Sequence, residues 1–304
     1  MTRPTALRSA PDRVLAPEDW QAAAAAHAER ADGLTAAHRE RRAAGARHPI
    51  DDFLYDYYGL RPSLLRRWHP GVGRTLAPTA GPCPGPARHA AWRWYATAAD
   101  GSVALDTTAF LADRGDTIRY VRGLLAATAS RPAQTGCLGL HEWAMVYRQD
   151  DARRRHDLPL RLGRAGTDAV VEAHPVRCTH FDAFRFFTPA ALPLNRTQLT
   201  RADQPATEQP GCLHANMDCL KWASKLGPAV PGDLLLDAFE LARDIRTLDM
   251  QASPYDVTSL GERAVAIETP AGKAEYVARQ RELAGRAALV RARLIDVCDT
   301  LNQT

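Results

Sequence analysis

Three short segments of the chain each combine a cysteine, a histidine and a carboxylate, which are residue types that ligate metals or move protons. They are GCLGLHEWAMVYR (136–148), RCTHFDAFRFF (177–187) and GCLHANMDCLKWASKLG (211–227). Scarce residue types also gather there, including four of the seven phenylalanines and two of the three lysines. This concentration indicates one site built from all three segments, although aromatic crowding is also typical of a buried core.

The third segment has a polar stripe at helical spacing. His214, Asp218, Lys221 and Lys225 fall on one face of a helix over 211–227. One interpretation is the solvated face of an ordinary amphipathic helix. The other is a face toward a cleft, where Asp218 orients His214 and Lys221 meets a phosphate or carbonyl oxygen.

The second segment alternates aromatic residues in the manner of a strand buried on both sides, although a buried helix fits the stretch 179–187 as well. A strand would send His180, Asp182 and Phe184 to the same side. His-x-Asp is also half of a two-histidine, one-carboxylate iron site, for which His214 is the nearest further histidine. The segment therefore supports an iron alternative with His180, Asp182 and His214 as ligands.

Two Cys-x-His pairs make a zinc site a further alternative. Cys178 precedes His180 by two positions, and Cys212 precedes His214 by two positions. This separation is tighter than the usual spacing of structural zinc ligands, and buried reduced thiols are the alternative interpretation.

The first segment places His141 next to Glu142. Neighbours on a helix point about 100° apart, so we expect only one of the two to face a given site. The adjacent Trp143 and Tyr147 are then either walls of that site or core residues.

The whole chain has the composition of a soluble globular protein, with 304 residues, 45% hydrophobic and 24% charged. No apolar run approaches the roughly 20 residues of a membrane span, and the N-terminus lacks the apolar core of a secretory signal. We therefore expect no membrane contact, a cytoplasmic location, and cysteines that are reduced thiols or metal ligands. The net charge of +4 permits a nucleic-acid partner without singling one out.

The pattern along the chain predicts a mainly helical (α+β) fold with a small central β-sheet or hairpin. We expect a disordered N-terminus over 1–16, then one mainly helical domain over 17–304 with a Pro/Gly loop at 77–89. The first predicted elements are an Ala-rich helix from Pro17 to near Gly45 and two short helices in 48–71, broken at Gly59 and Pro62. A hairpin that turns near Asp100 and Gly101 follows. Three further helices are predicted: one over about 114–130, one that begins after an Asp233 cap, and one over about 271–300.

The stretch HPGVGRTLA (69–77) has the spacing of a glycine hairpin that grips a DNA phosphate. Such a hairpin also needs a following helix, and the prolines of APTAGPCPGP exclude a stable one. An ordinary Pro/Gly turn is the preferred interpretation.

Several long segments together resemble a family from high-GC bacteria labelled 3-methyladenine DNA glycosylase. The resemblance covers roughly residues 45–260. It rests on HPIDDFLYDYYGLRPSLLRRWHPG, GLHEWAMVYR, HFDAFRFFTP, LHANMDCLKWASKLGP and LLLDAFELARDIRTLDMQASPYD. It implies a base-excision repair enzyme that hydrolyses the N-glycosidic bond of alkylated purines in double-stranded DNA, without a cofactor.

That activity has clear chemical requirements. The damaged base is flipped out and stacked on aromatic rings, and a carboxylate positions water and stabilises the sugar cation. The candidate catalytic residues are Asp182, Asp218, Glu142, His180, His214 and Lys221. The candidate substrate-binding residues are Trp143, Tyr147, Phe184, Trp222, Asn216, Arg61, Arg66 and Arg67.

Two alternatives remain beside the glycosylase. One is an iron- or zinc-dependent enzyme acting on a small molecule, with ligands from His180, Asp182, His214, Cys178 and Cys212. The other is a binding module without catalysis, whose three segments are only core. The two enzyme hypotheses share one prediction, that residues 178–182 and 214–225 converge and bring His180 close to His214. We also expect the segment 48–71 to line the ligand cleft. The sequence leaves the oligomeric state open.

Overall fold

The computed structural model describes residues 13–79, 85, 87–149 and 157–303. Within this part of the chain the fold is mainly helical with one small sheet, as predicted. The helices are α1 (Pro17–Ala43), α2 (Phe53–Tyr58), α3 (Pro62–Leu65), α4 (Thr107–Ala129), α5 (Leu140–Ala144), α6 (Gly163–Ala173), α7 (Phe181–Phe184), α8 (Gln204–Thr207), α9 (Leu213–Leu226), α10 (Gly232–Gln251) and α11 (Pro270–Leu301). The strands are β1 (Arg13–Leu15), β2 (Arg74–Leu76), β3 (Tyr95–Thr97) and β4 (Val103–Leu105).

The long helices form the main core. Helix α10 packs on α9 and α11, and α11 also packs on α4 and α9. The buried stripe predicted for α10 is confirmed, since Leu234, Leu241, Ile245 and Leu248 are each at most 1% exposed. Burial of this apolar stripe holds α10 against its neighbours, and burying each such side chain contributes about 1.5–3 kcal/mol.

The sheet has the strand order β1-β2-β4-β3. Strands β1 and β2 are parallel, with Leu15 opposite Leu76, and the other pairings are antiparallel. The predicted hairpin is the β3–β4 pair. A separate small apolar cluster that includes Trp20 of α1, Trp68 and Val103 packs beside the sheet.

Three local predictions need correction. Residues 13–15 form β1 rather than a disordered segment, because they pair with β2; residues 1–12 lie outside the described part of the chain. Helix α4 begins at Thr107, earlier than expected, because the Asp106 carboxylate accepts a hydrogen bond from the Ala109 N–H at 2.8 Å and caps it. Asp233 does not cap α10; it forms an ion pair with Arg293.

The aromatic stretch 179–187 is not a strand. His180 is extended, and the short helix α7 begins at Phe181. The two-residue alternation therefore does not hold here, and it cannot place His180 and Asp182 on one side. The buried helix was the alternative interpretation of this stretch.

The glycine hairpin at 69–77 is a structural turn. Gly71 and Gly73 have φ angles of +90° and +71°, and a Cβ on Gly71 would lie 2.7 Å from the Pro231 ring. The Val72 N–H donates to the Ala229 carbonyl at 3.0 Å, and strand β2 follows instead of a helix. Of the Pro/Gly loop at 77–89, residues 80–84 and 86 lie outside the described part. Among the described helices, none combines the length and apolarity needed to cross a membrane.

Candidate metal centre

The predicted convergence of residues 178–182 and 214–225 is confirmed. The His180 and His214 ring centroids lie 5.5 Å apart, and the His180 Nε2 lies 3.3 Å from the Asp218 carboxylate. The segment 48–71 also reaches this site, because the Tyr58 hydroxyl donates to Asp218 at 2.7 Å. These contacts join the second and third chemistry-bearing segments of the sequence.

The first segment joins the same site through α5 and the C-terminal end of α10. His141, Glu142, His214 and Asp249 place one ligand-type atom each within 4.8 Å of one another. We call these four residues the His141 group. The His141 Nε2 lies 2.8 Å from the Asp249 carboxylate, and the His141 and His214 rings meet edge to face with centroids 4.4 Å apart.

A second group adjoins the first across His214. His180, Glu208 and Asp218 also place ligand-type atoms within 4.8 Å of one another. We call these three residues the His180 group, and each is at most 1% exposed. The His180 Nε2 lies 3.3 Å from both Glu208 and Asp218.

Two cations border these groups. The Arg246 guanidinium donates to Asp249 at 2.9 Å and to Glu142 at 3.3 Å. The Lys221 ammonium lies 2.9 Å from both Asp218 and Asp182. These two cations offset part of the negative charge of the buried carboxylates.

Asp182 lies at the rim and belongs to neither group. Arg201 donates to it at 2.6 Å, and Lys221 occupies its other oxygen. The Lys221 ammonium therefore separates Asp182 from Asp218. The predicted iron set of His180, Asp182 and His214 is corrected: Asp218 and Glu208 provide the carboxylates beside His180.

The electrostatics of the His141 group leave His214 neutral. Burial works against a charge on His141, but the Asp249 carboxylate raises the pKa of His141 well above its usual value. Burial and the neighbouring His141 instead hold the pKa of His214 well below its usual value. His214 therefore keeps a free lone pair on its ring, which is the form that binds metals.

The pKa values of the His180 group are also shifted by burial and by neighbouring charges. Burial opposes a charge on Asp218, yet His180 and Lys221 keep the pKa of Asp218 well below its usual value. Burial raises the pKa of Glu208, while Asp218 and Glu208 raise that of His180 against the effect of burial. The group thus holds at least one buried carboxylate anion beside an imidazole.

Two imidazoles have nitrogens left over. Within the described residues, His214 makes ring contacts but no hydrogen bond, and the buried Nδ1 of His180 has no hydrogen-bond partner. Buried polar groups are nearly always hydrogen-bonded, so the Nδ1 of His180 stands out within this cluster. His214 is also the one member of its group with partial exposure, which gives the site an approach from outside.

The geometry fits metal ligation. Metal bonds of about 2.0–2.2 Å to nitrogen and oxygen imply ligand-to-ligand separations of roughly 3–4.4 Å. The separations in both groups, all within 4.8 Å, need only a small contraction to reach that range. No set of three or more ligand atoms that includes Cys178 or Cys212 occurs in the described part of the chain, so these thiols, which the zinc alternative named, belong to neither group.

Most of the predicted stacking residues are core residues. The Trp143 ring is fully buried and its N–H donates to the Ala252 carbonyl at 2.8 Å, while the Tyr147 hydroxyl donates to Glu172 at 2.9 Å. Phe184 packs on Phe187, and the fully buried Asn216 accepts a hydrogen bond from Arg291. These four have no open face for a flipped base.

The remaining candidates lie at the edge of the site or on the surface. Trp222 is 4% exposed, and the Lys221 ammonium lies 4.6 Å from its ring centroid. Arg66 pairs with Asp32 at 2.9 Å, and Arg61 is exposed. Arg67 stacks on Trp92 and lines a separate cavity, so the three arginines do not form one phosphate site at the candidate metal centre.

Sequence reasoning missed several members of the site. Asp249, Glu208 and Arg246 were not predicted, and His141 and Glu142 both join one group although only one was expected to. A signal existed in α10, where Arg246 and Asp249 are polar residues three positions apart on a helix with an otherwise apolar buried stripe. No comparable pattern marks Glu208, which follows the short helix α8.

Comparison with known proteins returned no match: not to a protein-family model, not to a curated protein, and not to a solved structure.

Proposed function

We propose that this protein is a metal-dependent enzyme acting on a small molecule, with a metal centre at the His141 and His180 groups. The observation that carries the proposal is the pair of adjoining groups of histidine and carboxylate ligand atoms, which meet where the His214 ring of the first group contacts the His180 ring of the second.

The donor set fits non-haem iron. Both groups offer imidazole nitrogen and carboxylate oxygen only, a set found in non-haem iron sites and also in catalytic zinc sites, whereas structural zinc sites favour thiolates. Together the groups contain three histidines and four carboxylates, His141, His180, His214, Glu142, Glu208, Asp218 and Asp249. Seven ligands are enough for two ions that retain open positions for substrate.

Two bordering cations balance part of the negative charge of the buried carboxylates. Arg246 and Lys221 balance carboxylates that would otherwise be buried and uncompensated. A bound metal would add its own positive charge to this balance. A metal bound here would bring Lewis-acid or redox chemistry to a substrate that reaches His214 through its exposed side.

The proposal is tested by metal loading. Chelator-treated protein is given ferrous iron without oxygen, separated from free ions, and analysed for bound metal. We expect one to two iron ions per chain in the wild type and a large loss in His214→Ala. His174→Ala is the matched control, because His174 lies outside both groups and its Nδ1 is hydrogen-bonded to the Val170 carbonyl at 2.7 Å. Equal iron in all three proteins would contradict the proposal.

A second candidate, the alkylbase DNA glycosylase, is favoured by one cavity. It has a volume of about 260 Å³ and is lined by Arg67, Trp92, Arg93, Trp94 and Ser224 among others. Trp94 has a φ angle of +65°, a strained conformation of the kind that clusters at ligand sites. The two indole rings offer stacking surfaces for a flipped base, and the arginines offer phosphate contacts.

Base release discriminates the two candidates. Wild-type, Asp182→Ala and Asp218→Ala proteins are incubated with duplex DNA carrying alkylated purines, and free methylated bases are measured. The metal proposal predicts no release from any of them. Release by the wild type would favour the glycosylase, and its loss in one variant would mark that carboxylate as required for release.

A further inference from the structure

A second cavity, of about 420 Å³, opens next to the His180 group. Three arginines line it: Arg131, Arg177 and Arg196. Its wall also contains Cys178, Thr207 and Gln209, and none of the lining residues is acidic. The cavity is therefore a positively charged recess in the surface.

The three cavity arginines are not neutralised by acidic side chains. Arginines elsewhere, such as Arg30, Arg161 and Arg293, form close ion pairs with carboxylates. Within residues 13–79, 85, 87–149 and 157–303, none of the three cavity arginines has a carboxylate within ion-pair distance. Arg131 is held instead by two carbonyls, those of Glu208 at 2.8 Å and Pro205 at 2.6 Å. Three positive charges thus face one recess without a partner anion.

One wall of the cavity is fixed by side-chain clamps around Gln134. The Gln209 amide accepts from the Gln134 N–H at 2.8 Å and donates to the Gln134 carbonyl at 3.1 Å. Gly211 fits against the same residue, since a Cβ there would lie 2.4 Å from the Gln134 carbonyl oxygen. Because this wall is preformed, little conformational entropy is lost when a ligand binds there.

The opposite wall is fixed by Asn195. Its amide accepts from the Cys178 N–H at 2.8 Å and donates to the carbonyls of Cys178 at 3.1 Å and Thr197 at 2.6 Å. Arg177 and Arg196 flank these clamped residues in the sequence. Their backbone positions are therefore fixed even though their side chains are exposed.

The cavity is joined to the candidate metal centre by direct contacts. The Cys178 thiol donates to the His180 carbonyl at 3.4 Å, and Arg131 binds the carbonyl of Glu208. Both His180 and Glu208 belong to the His180 group. An anion held by the arginines would lie just outside that group.

We infer that this cavity binds the anionic group, a phosphate or a carboxylate, of the enzyme's small-molecule substrate. The inference rests on the proposed function for the statement that the ligand is the substrate. Binding of the anion itself rests only on the unpaired arginines and the fixed walls. Arg177 and Arg196 supply charge-assisted hydrogen bonds to the oxyanion, and Arg131 adds a fixed positive charge.

The test measures anion binding by titration calorimetry on chelator-treated protein, so that metal plays no part. Inorganic phosphate and succinate are the two probes, which distinguish a phosphate from a carboxylate group. We expect saturable binding of at least one probe, weakened about tenfold in Arg177→Ala and in Arg196→Ala, because a charge-assisted hydrogen bond contributes about 1.5 kcal/mol or more. Arg281→Ala is the matched control, since Arg281 is an exposed arginine on α11 that does not line the cavity.

The outcomes separate this inference from the metal proposal. No saturable binding of either probe, or equal binding in all variants, overturns the anion site whether or not iron binds. Binding of duplex DNA that depends on Arg177 and Arg196, without binding of the small anions, overturns the small-molecule ligand. Anion binding in a protein that takes up no iron supports the cavity and contradicts only the metal centre.

Discussion

The imidazole rings of His141 and His214 meet edge to face at 4.4 Å, yet the two histidines have opposite electrostatic environments. His141 is paired with Asp249 at 2.8 Å, whereas His214 has no hydrogen-bond partner in the described part of the chain. One histidine is thus held charged and the other neutral at contact distance. This asymmetry leaves the partly exposed His214 with a ring lone pair available to a metal.

Asp249→Asn should destabilise the metal-free protein by about 3–5 kcal/mol, because it leaves His141 and Arg246 buried without their shared anion. Denaturant unfolding measures the change. Asp244→Asn is the control: its pair with Arg286 at 2.8 Å is largely exposed, so we expect a loss of at most about 1 kcal/mol. Equal losses in the two variants would show that the Asp249 contacts are not a buried charge network.

Lys221→Met should also lower stability, by about 2–4 kcal/mol, since Asp182 and Asp218 lose the ammonium that separates them. Lys225→Met provides a matched change one turn along the same helix, at an exposed side chain, and should cost less than about 0.5 kcal/mol. Unfolding midpoints of the two variants check the difference. A Lys221→Met protein as stable as Lys225→Met would refute the role given to this lysine.

His89 makes the protein sensitive to acid. Its side chain is 0% exposed, and burial lowers its pKa from 6.5 to about 4. Because the folded-state pKa is the lower one, the unfolded chain binds the proton first, and stability present above pH 6.5 is lost as the pH falls toward 4. The full loss is about 3 kcal/mol.

The measurement for His89 compares wild type with His89→Gln, whose amide can still donate to the Trp68 carbonyl that His89 reaches at 3.1 Å. The free energy of unfolding between pH 7 and pH 4.5 should fall less steeply in the variant. Parallel curves would mean that His89 does not titrate between the two states.

Gly211→Ala should be strongly destabilising, because its Cβ would lie within 3 Å of three backbone atoms of Gln134. Gly285→Ala is the contrasting change, since a Cβ there meets nothing within 4 Å and removes a glycine from the interior of α11. We expect it to stabilise by about 0.5–1 kcal/mol. Thermal unfolding of both variants gives the comparison, and a tolerated Gly211→Ala would show that the cavity wall is not tightly packed.

The sequence predicts the long helices well because each has a local signal. Periodic apolar residues mark α10, and the glycine near its end and a proline at its start mark α1. The cap of α4 could not be placed, because Asp106 competes with other polar residues for that role and only the tertiary fold decides. The sequence left strand and helix both open for the stretch 179–187, because its crowded aromatic residues lack the periodicity that separates the two.

Part of the site could be predicted because some of its residues have a local signal in the sequence. His180, His214 and Asp218 are marked by unusual local spacing, and the structure brings them together. Asp249 and Glu208 are distant in sequence from them and reach the site only through the packing of α10 on α9 and the course of the chain after α8. Contacts between residues so far apart in the sequence produce no local spacing pattern that could predict them.

Quantitative metal analysis tests the central claim most directly. The wild-type protein, stripped and reloaded with ferrous iron without oxygen, should retain one to two iron ions per chain after gel filtration. The His214→Ala protein should retain far less, and His174→Ala should match the wild type. Retention of no metal by a folded wild-type protein, or equal retention by the His214→Ala protein, would contradict the assignment of the two groups as a metal centre.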